Sequence, residues 1–457
     1  MVFLPLVDVF GDDQLEGCFS QTSLVGAWLE VERALAAAQA EHGIIPGEAV
    51  AAIDAVAVPE HIDLVRLNER TRVVGYPILP LLEQLGEQSD TAARYLHWGA
   101  TTQDIMDTGL ALVCARALDR IDVLARALGD GLARLAGEHR STVMPGRTHA
   151  QPAVPITLGG KLAVFVDELT RHLERLHAAR GRLAVVQLFG AAGTAAALGK
   201  QSRAVRHSVA ERLGLGVVDV PWHAARDAVA EVGFVLAALA GTCGRLAREV
   251  VELSRPEIGE LAEEEGYHRG ASSTMPQKAN PVGSETAVGM SILAGQHVGA
   301  LVVALQVTHE RAAGEWQAEW DAIPLAFAAT AGALTAVGSI VEGLRVFPDR
   351  MRANLEREGG VIMAEAAMIA VGHVVGRGAA HALVYDASLL ARTGDISLRE
   401  ALERTLEDDV LAALPPLDDV LDPMTYLGET DEIVTAALEG WARITTSVPA
   451  AVGTIRG

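Results

Sequence analysis

The stretch that decides the fold is Gly270-Ala271-Ser272-Ser273-Thr274-Met275-Pro276-Gln277-Lys278-Ala279-Asn280-Pro281. It places small, flexible and hydroxyl-bearing residues between two segments with the composition of long helices. In a chain rich in Ala, Leu and Val, this interruption is typical of a loop that carries chemistry on a rigid scaffold. An ordinary connection between helices has a similar composition. The rest of the sequence has to decide between the two interpretations.

The composition favours a helical protein of more than one domain. A chain of 457 residues exceeds what one hydrophobic core normally organises, so two or three domains are expected. Half of the residues are hydrophobic but only 4% are aromatic, and Ala and Leu dominate, which favours helices over sheets. The net charge of -22 argues against a nucleic-acid partner, because binding to phosphates needs a basic surface. An anionic substrate would need a local positive pocket.

Cysteine usage and hydropathy indicate a cytoplasmic protein outside the membrane. Cys18, Cys114 and Cys243 lie far apart, which predicts neither a disulfide framework nor a thiolate metal site. Residues 286–308 and 322–341 contain no Asp, Glu, Lys or Arg and are long enough to span a bilayer. They are rich in Ala, Gly, Ser and Thr and have no basic flank, so we interpret them as central helices of a soluble bundle.

Helical periodicity extends along most of the chain and predicts an all-α fold with a long central helical bundle. No period-two alternation persists long enough to predict a sheet. The predicted domains are an N-terminal helical domain (1–103), a central long-helix bundle (104–346) and a C-terminal helical domain (347–457). The main predicted helices cover residues 22–42, from about 104 to 139, 157–186, 227–253, 282–311 and 323–344.

Three polar breaks follow long predicted helices: residues 101–104, 148–151 and 272–285. Helix capping by Asp104 or Thr102 explains part of the first break, and a single loop histidine such as His149 is more often structural than catalytic. Together, however, the breaks offer hydroxyls, an imidazole, a lysine and a carboxylate. The sequence has no H-E-x-x-H, no carboxylate cluster and no G-x-S-x-G, so neither a metal site nor a serine hydrolase is indicated. The inventory suits proton transfer beside a carboxylate, without a metal or cofactor.

The same breaks carry a family resemblance. Residues 271–280 resemble the signature of the fumarase/aspartase superfamily, G-S-S-x-M-P-x-K-x-N, with Ala271 in place of the glycine. The other two breaks are similar to the first and second regions shared by that superfamily, in the same order. Within it the chain is most similar to the branch of bacterial 3-carboxy-cis,cis-muconate cycloisomerases, on five short stretches: residues 97–108, 221–227, 309–311, 316–320 and 422–428. The resemblance implies the three-domain fumarase/aspartase fold.

The resemblance also implies a mechanism and its residues. Most members remove the proton beside a carboxylate of a succinyl-type substrate and expel the group on the next carbon, which leaves fumarate. By motif match, Ser272 is the general base on a mobile loop, and Lys278 and His149 also act in catalysis, His149 as the acid. The resemblance assigns the remaining site residues to substrate binding: Thr101, Thr102, Thr148, Gln151, Ser273, Met275 and Asn280.

Two departures bear on the reaction. Cycloisomerases of this branch have Trp at the position of His149 and Ala at the position of Glu285, whereas fumarases have a hydrogen-bonded His-Glu pair there. The sequence therefore favours β-elimination from a substituted succinate, with an amine or nitrite as leaving group; nitrosuccinate lyase is one such chemistry. Lactone formation by a cycloisomerase is the alternative. Adenylosuccinate lyase fits less well, because Gly75-Tyr76-Pro77 and Trp320 replace its substrate-binding residues, and an inactive structural relative fits least.

The implied assembly is a homotetramer with active sites shared between subunits. The two uncharged segments, 286–308 and 322–341, are more apolar than a monomeric bundle needs. A tetramer buries such helices in a common core and brings together loops that are distant in sequence. The expected partners are a small dicarboxylate or tricarboxylate substrate and further copies of this chain, with no nucleic acid and no membrane.

Overall fold

The computed structural model describes residues 4–311 and 313–448. The amino-terminal part consists of short helices and one long helix. Helices α1 to α7 are Pro5–Phe10, Asp13–Cys18, Gln21–Glu41, Gly47–Val56, Leu64–Val74, Ile78–Gln88 and Asp90–Tyr95. Short 3-10 turns complete the chain at Pro59–His61, Ala196–Leu198, Arg357–Met363 and Pro423–Thr425.

The central part contains the longest helices and most of the hydrophobic core. Helices α8 to α13 are Thr102–Glu138, Leu158–Leu183, Ser202–Leu213, Asp227–Leu253, Val282–Val303 and Glu315–Glu342. Helix α11 packs against α9, α12 and α13, and α8 packs against α9 and α13. Leu128, Leu173, Leu236 and Phe327 are among the side chains buried where these helices meet.

The carboxy-terminal part returns to short helices. Helices α14 to α20 are Pro348–Leu355, Ala364–Val375, Arg377–Gly394, Leu398–Thr405, Asp408–Ala413, Leu417–Val420 and Thr430–Ser447. Helices α14 to α17 enclose a separate small core with Val384 and Leu402 at its centre. The last helix, α20, packs against α8 and α9 instead, through Val434 and Trp441. The predicted domain limits at 103 and 346 stay predictions.

The all-α class is confirmed, but the expectation of no sheet is wrong. Two small antiparallel sheets are present: β1 (Val143–Thr148) pairs with β2 (Gln151–Thr157), and β3 (Leu261–Ala262) pairs with β4 (Arg345–Val346). The β1–β2 pair escapes detection because three prolines and a bulge between Pro145 and Arg147 break the alternation of polar and apolar residues.

Most predicted helices are close to the observed ones, and two limits need correction. Residues 227–253 agree with α11, whereas α12 ends at Val303 rather than near 311 and α13 begins at Glu315 rather than 323. Helix ends are the least determined part of a periodic pattern, since the cap and not the periodicity sets them.

Four helical segments are long and apolar enough to cross a membrane by length and composition: 227–253, 282–303, 315–342 and 357–375. In α11 and α13, two-thirds of the most apolar window is buried within the chain, so their hydropathy is explained by the bundle core. In α12 only 28% of that window is buried. Its remaining apolar surface needs another explanation.

Candidate active site

The first of the three polar segments is the start of α8, where Asp104 organises the chain. Its buried carboxylate accepts hydrogen bonds from the backbone amides of Thr101 (3.1 Å), Phe189 (3.0 Å) and Gly190 (2.9 Å). His223 Nε2 lies 2.9 Å from Asp104 Oδ1. The N-cap residue is Thr101 rather than Asp104 or Thr102, but Asp104 takes part in the cap, because its carboxylate accepts the Thr101 amide as the third residue of a capping box. Asp104 also fixes the Thr101-Thr102 turn against the loop that contains Gly190.

One turn further along α8, a buried guanidinium joins two carboxylates. Arg226 donates to Asp107 (2.8 and 3.1 Å) and to Glu319, and its side chain is only 1% exposed. Gln103 Nε2 and Trp316 Nε1 also donate to Asp107, at 3.0 and 3.1 Å. Burial raises the pKa of Glu319, and Arg226 counteracts this only in part. The cluster ties α8, α11 and α13 together beneath the Thr101-Thr102 turn.

Arg311 is a candidate site residue that the sequence reasoning did not select. Its Nη1 donates to Gln103 Oε1 at 3.0 Å and its Nη2 to the carbonyl of Ala191 at 2.6 Å. The guanidinium is partly exposed. Its partner Gln103 directly follows Thr102 in the chain, so Arg311 is held close to the start of α8. It is therefore a candidate for the local positive charge that an anionic substrate would need in this acidic protein. The available signal was the His309-Glu310-Arg311 stretch within the family resemblance.

The second polar segment is the turn of the β1–β2 hairpin. Thr148 pairs with Gln151, and His149 and Ala150 between them have positive φ angles of 50° and 64°. Two successive left-handed residues form the tight turn that matches strand twist, normally with Asn or Gly. Holding His149 in this conformation costs backbone energy, which is typical of functional positions. Thr148, His149 and Gln151 are all exposed, so the hairpin presents them to solvent.

The third segment is a loop whose two ends are fastened together. The backbone N–H and the side-chain Nδ2 of Asn280 both donate to the carbonyl of Gly270, at 2.8 and 2.9 Å. Gly270 has φ +66°, and a Cβ there would lie 2.2 Å from the Asn280 oxygen, so only glycine fits. Residues 271–279 form the exposed body of this loop, which we call the serine loop. Since Asn280 Nδ2 closes the loop, its contact with a substrate stays a prediction.

Ser272 has the surroundings expected of a proton-transfer group. Its Oγ accepts hydrogen bonds from the backbone amides of Thr274 (3.2 Å) and Met275 (3.0 Å). Backbone donors directed at one oxygen favour its negatively charged form. Ser273, Met275 and Lys278 are exposed on the same loop, and Lys278 adds a positive charge nearby.

Over residues 4–311 and 313–448, no hydrogen bond links any two of the three polar segments. Glu285 is exposed in the first turn of α12 and forms no hydrogen bond with His149, so the predicted His149–Glu285 pair is not made within one subunit. No group of three or more His, Cys, Asp or Glu side chains suited to a metal ion occurs in the part of the chain that the structure describes.

Tyr76 and Trp320 belong to an aromatic cluster. Tyr76 stacks on Trp316 at 5.8 Å between ring centroids and contacts the edge of Trp320, and its hydroxyl accepts a hydrogen bond from Gln317 (3.1 Å). Trp316, Trp320 and Trp28 border a cavity of about 220 Å³.

Comparison with known proteins gives matches along nearly the whole chain. Residues 10–299 match a family described as lyase, and residues 360–437 match the C-terminus of adenylosuccinate lyase. A 3-carboxy-cis,cis-muconate cycloisomerase of Pseudomonas aeruginosa is 40% identical over 93% of each chain. The structure of a 3-carboxy-cis,cis-muconate lactonizing enzyme from Pseudomonas putida superposes with a TM-score of 0.90 at 37% identity, covering 96% of this chain and 99% of that one. A fumarate lyase from Mesorhizobium has a TM-score of 0.85 at 39% identity, covering 94% and 98%.

Proposed function

We propose that this chain, which belongs to the fumarase/aspartase superfamily of lyases, is a cycloisomerase that closes a lactone from a 3-carboxy-cis,cis-muconate-type tricarboxylate. The observation that supports this proposal best is that similarity to cycloisomerases extends over more than nine-tenths of the chain. This choice reverses the preference for elimination that His149 and Glu285 gave from sequence. Both reactions make or break a bond to the carbon next to an acidic C–H.

In lactone closure, an oxygen of one substrate carboxylate adds to a carbon of the conjugated diene. The electron pair displaced by the new C–O bond moves to the neighbouring carbon, whose carboxylate delocalises it as an aci-carboxylate. Ser272 Oγ then donates its proton to that carbon, and the resulting oxyanion is held by the amides of Thr274 and Met275. Water returns the proton to Ser272, so each turnover consumes one proton from solvent.

Three substrate carboxylates need several donors. Lys278 on the serine loop and Arg311 beside the Thr101-Thr102 turn provide the positive charges, and the hydroxyls of Thr101 and Thr102 provide further donors. Arg311 is already oriented by Gln103, which reduces the cost of ordering it when the substrate binds.

Elimination from a substituted succinate is the second candidate. Here Ser272 removes the proton beside a carboxylate, the electron pair forms the double bond, and His149 protonates the departing group. The exposed imidazole on the hairpin turn and the carboxylate of Glu285 favour this reaction, as does the similarity to a fumarate lyase. In this reaction the leaving group is an amine or nitrite.

Two assays on one preparation separate these reactions. With 3-carboxy-cis,cis-muconate, we expect the ultraviolet absorbance of the diene to fall with uptake of one proton per molecule consumed. With a panel of substituted succinates, including nitrosuccinate, aspartate and adenylosuccinate, the measured product is fumarate. Fumarate release without consumption of carboxymuconate would replace the first candidate by the second, and no reaction in either assay would contradict both.

We also propose that the active enzyme is a homotetramer whose sites combine segments of different subunits. Two observations support this assembly. The apolar surface of α12 is left uncovered by its own chain, with Ile292 50% exposed and Val303 66% exposed. In addition, no hydrogen bond joins the serine loop, the His149 turn and the Thr101-Thr102 turn within the described part of one chain. Copies that cover α12 would allow segments of neighbouring chains to meet.

A further inference from the structure

A four-residue segment lies between two of the proposed catalytic elements. Residues 260–263, which we call the bridging segment, follow α11 and contain β3. Its backbone is held from both sides, since Glu260 N donates to the carbonyl of Leu253 (2.9 Å) and Glu260 O accepts from Phe347 N (3.0 Å). The segment is therefore a rigid support rather than a free loop.

The first residue of the bridging segment, Glu260, binds the β1–β2 hairpin through an ion pair. Glu260 is completely buried and receives both terminal nitrogens of Arg147, at 2.8 and 2.6 Å. Asn354 Nδ2 donates to the same carboxylate at 2.7 Å. A bidentate pair fixes orientation as well as distance. Arg147 directly precedes Thr148 and His149, so this contact sets where the hairpin turn points.

The last residue of the bridging segment, Glu263, contacts the chain on both sides of the serine loop. Glu263 accepts hydrogen bonds from Gly283 N (3.2 Å) and from the backbone N (2.7 Å) and Oγ (2.7 Å) of Ser284, in the first turn of α12. The guanidinium of Arg269, just before the loop, lies 3.6 Å from Glu263. The N-cap residue of α12 makes no side-chain cap. Glu263, although distant in sequence, accepts the free amides of the first turn in its place.

From these contacts we infer that Glu263 and Arg147 are positioning residues for the proposed reaction, and that the bridging segment holds the serine loop and the His149 turn in one fixed frame. Neither residue touches the substrate. Glu263 fixes the position of the chain on both sides of the serine loop, and Arg147 fixes the position of the hairpin turn. Displacement of a reacting group by about 1 Å can cost a hundredfold in rate, so both contacts affect turnover more than substrate affinity.

The first test uses the exchange Glu263→Gln with Glu264→Gln as its matched control. The neighbouring Glu264 is also 3.6 Å from Arg269, but it makes no hydrogen bond to α12 in the described chain. Trypsin cleaves after Arg269 and Lys278, at the two sides of the serine loop. Loss of the remote cap should speed cleavage at these two sites about 5- to 30-fold in the Glu263 variant and leave the Glu264 variant close to the native chain.

The second test measures the reaction of the proposed function. Arg147→Lys keeps the charge but removes the bidentate contact. Its control is Arg120→Lys on α8, whose partner Asp12 is also largely buried and is the N-cap residue of α2. We expect kcat to fall about 10- to 100-fold with KM changed less than about threefold for Arg147→Lys. The Arg120→Lys control should lose about as much free energy of unfolding in urea as Arg147→Lys does, while its kcat stays at the native value.

The two tests fail in different ways. Native-like cleavage of the Glu263→Gln loop, or equal kcat for the two arginine variants, contradicts the inference. Absence of activity in the native chain on every substrate contradicts the proposed function, while the trypsin experiment still decides whether Glu263 holds the serine loop.

Discussion

Ser272 is the residue on which the proposed chemistry depends, because its Oγ already receives two backbone amides. Exchange of Ser272 for Ala removes the group that transfers the proton and leaves the loop backbone in place. We expect turnover to fall roughly 10²- to 10⁴-fold, with helical circular dichroism unchanged. Gln277→Ala is the control, since Gln277 is exposed on the same loop and has no assigned role in binding or catalysis. Normal turnover of the Ser272 variant contradicts its role.

His172 gives a prediction about pH. It is buried between α9 and α11, where Nε2 lies 2.8 Å from Thr242 Oγ1, and Nδ1 has no hydrogen-bond partner among the described residues. Burial lowers its pKa to about 4, with Arg175 contributing. Because the folded pKa lies below the unfolded value, the unfolded chain binds the proton more readily, and stability is lost as pH falls from about 6.5 to 4.

The measurement is urea unfolding of the native chain and of His172→Gln at several pH values. Over that range the native chain should lose about 3 kcal/mol of unfolding free energy relative to the variant. Carboxylates that titrate in the same range affect both chains equally and cancel in the difference. A difference that does not change with pH contradicts the buried neutral imidazole.

At the scale of elements, close helix contacts depend on single glycines. On α8, a Cβ at Gly129 would lie 2.1 Å from the Trp441 ring of α20, while a Cβ at Gly137 on the same helix would meet only Leu438 at 3.8 Å. Trp441 is held in place by its Nε1 hydrogen bond to Asp130 (2.7 Å). The α8–α20 contact therefore requires glycine at one position and tolerates a side chain at the other.

The exchange Gly129→Ala should destabilise the chain by about 1–3 kcal/mol in spite of the better helix propensity of alanine, because the indole has to move. Gly137→Ala should be neutral or stabilising by up to about 1 kcal/mol. Thermal or urea unfolding of both variants provides the comparison. Equal stability of the two variants means that α20 can shift without cost.

At the scale of the whole molecule, the exposed side of α12 predicts assembly. The exchange Ile292→Asp places a charge on that apolar surface and should produce smaller species in sedimentation, together with loss of turnover, because the shared sites come apart. Val65→Asp is the control, since Val65 is 69% exposed on α5. A native chain that sediments as a monomer at micromolar concentration contradicts the tetramer. The cytoplasmic location stays a prediction.

The sequence alone determined the superfamily, the enzyme class and the all-α fold, because these rest on local signals. Helical periodicity identified α3, α8, α9 and α11 to within a few residues, and the motif around Ser272 identified the family. The preference for elimination was less well founded, since two side chains, His149 and Glu285, outweighed the similarity of the whole chain to cycloisomerases.

Only the tertiary structure decided which distant residues support those motifs. The contacts of Glu260 with Arg147, of Glu263 with α12 and of Arg311 with Gln103 join residues 20 to 208 positions apart. A helical or strand period relates only near neighbours, so it gives no information on such pairs. The hairpin below His149 was missed for the same reason: its pairing depends on a bulge and a left-handed turn of non-glycine residues, which the packing of the folded chain imposes.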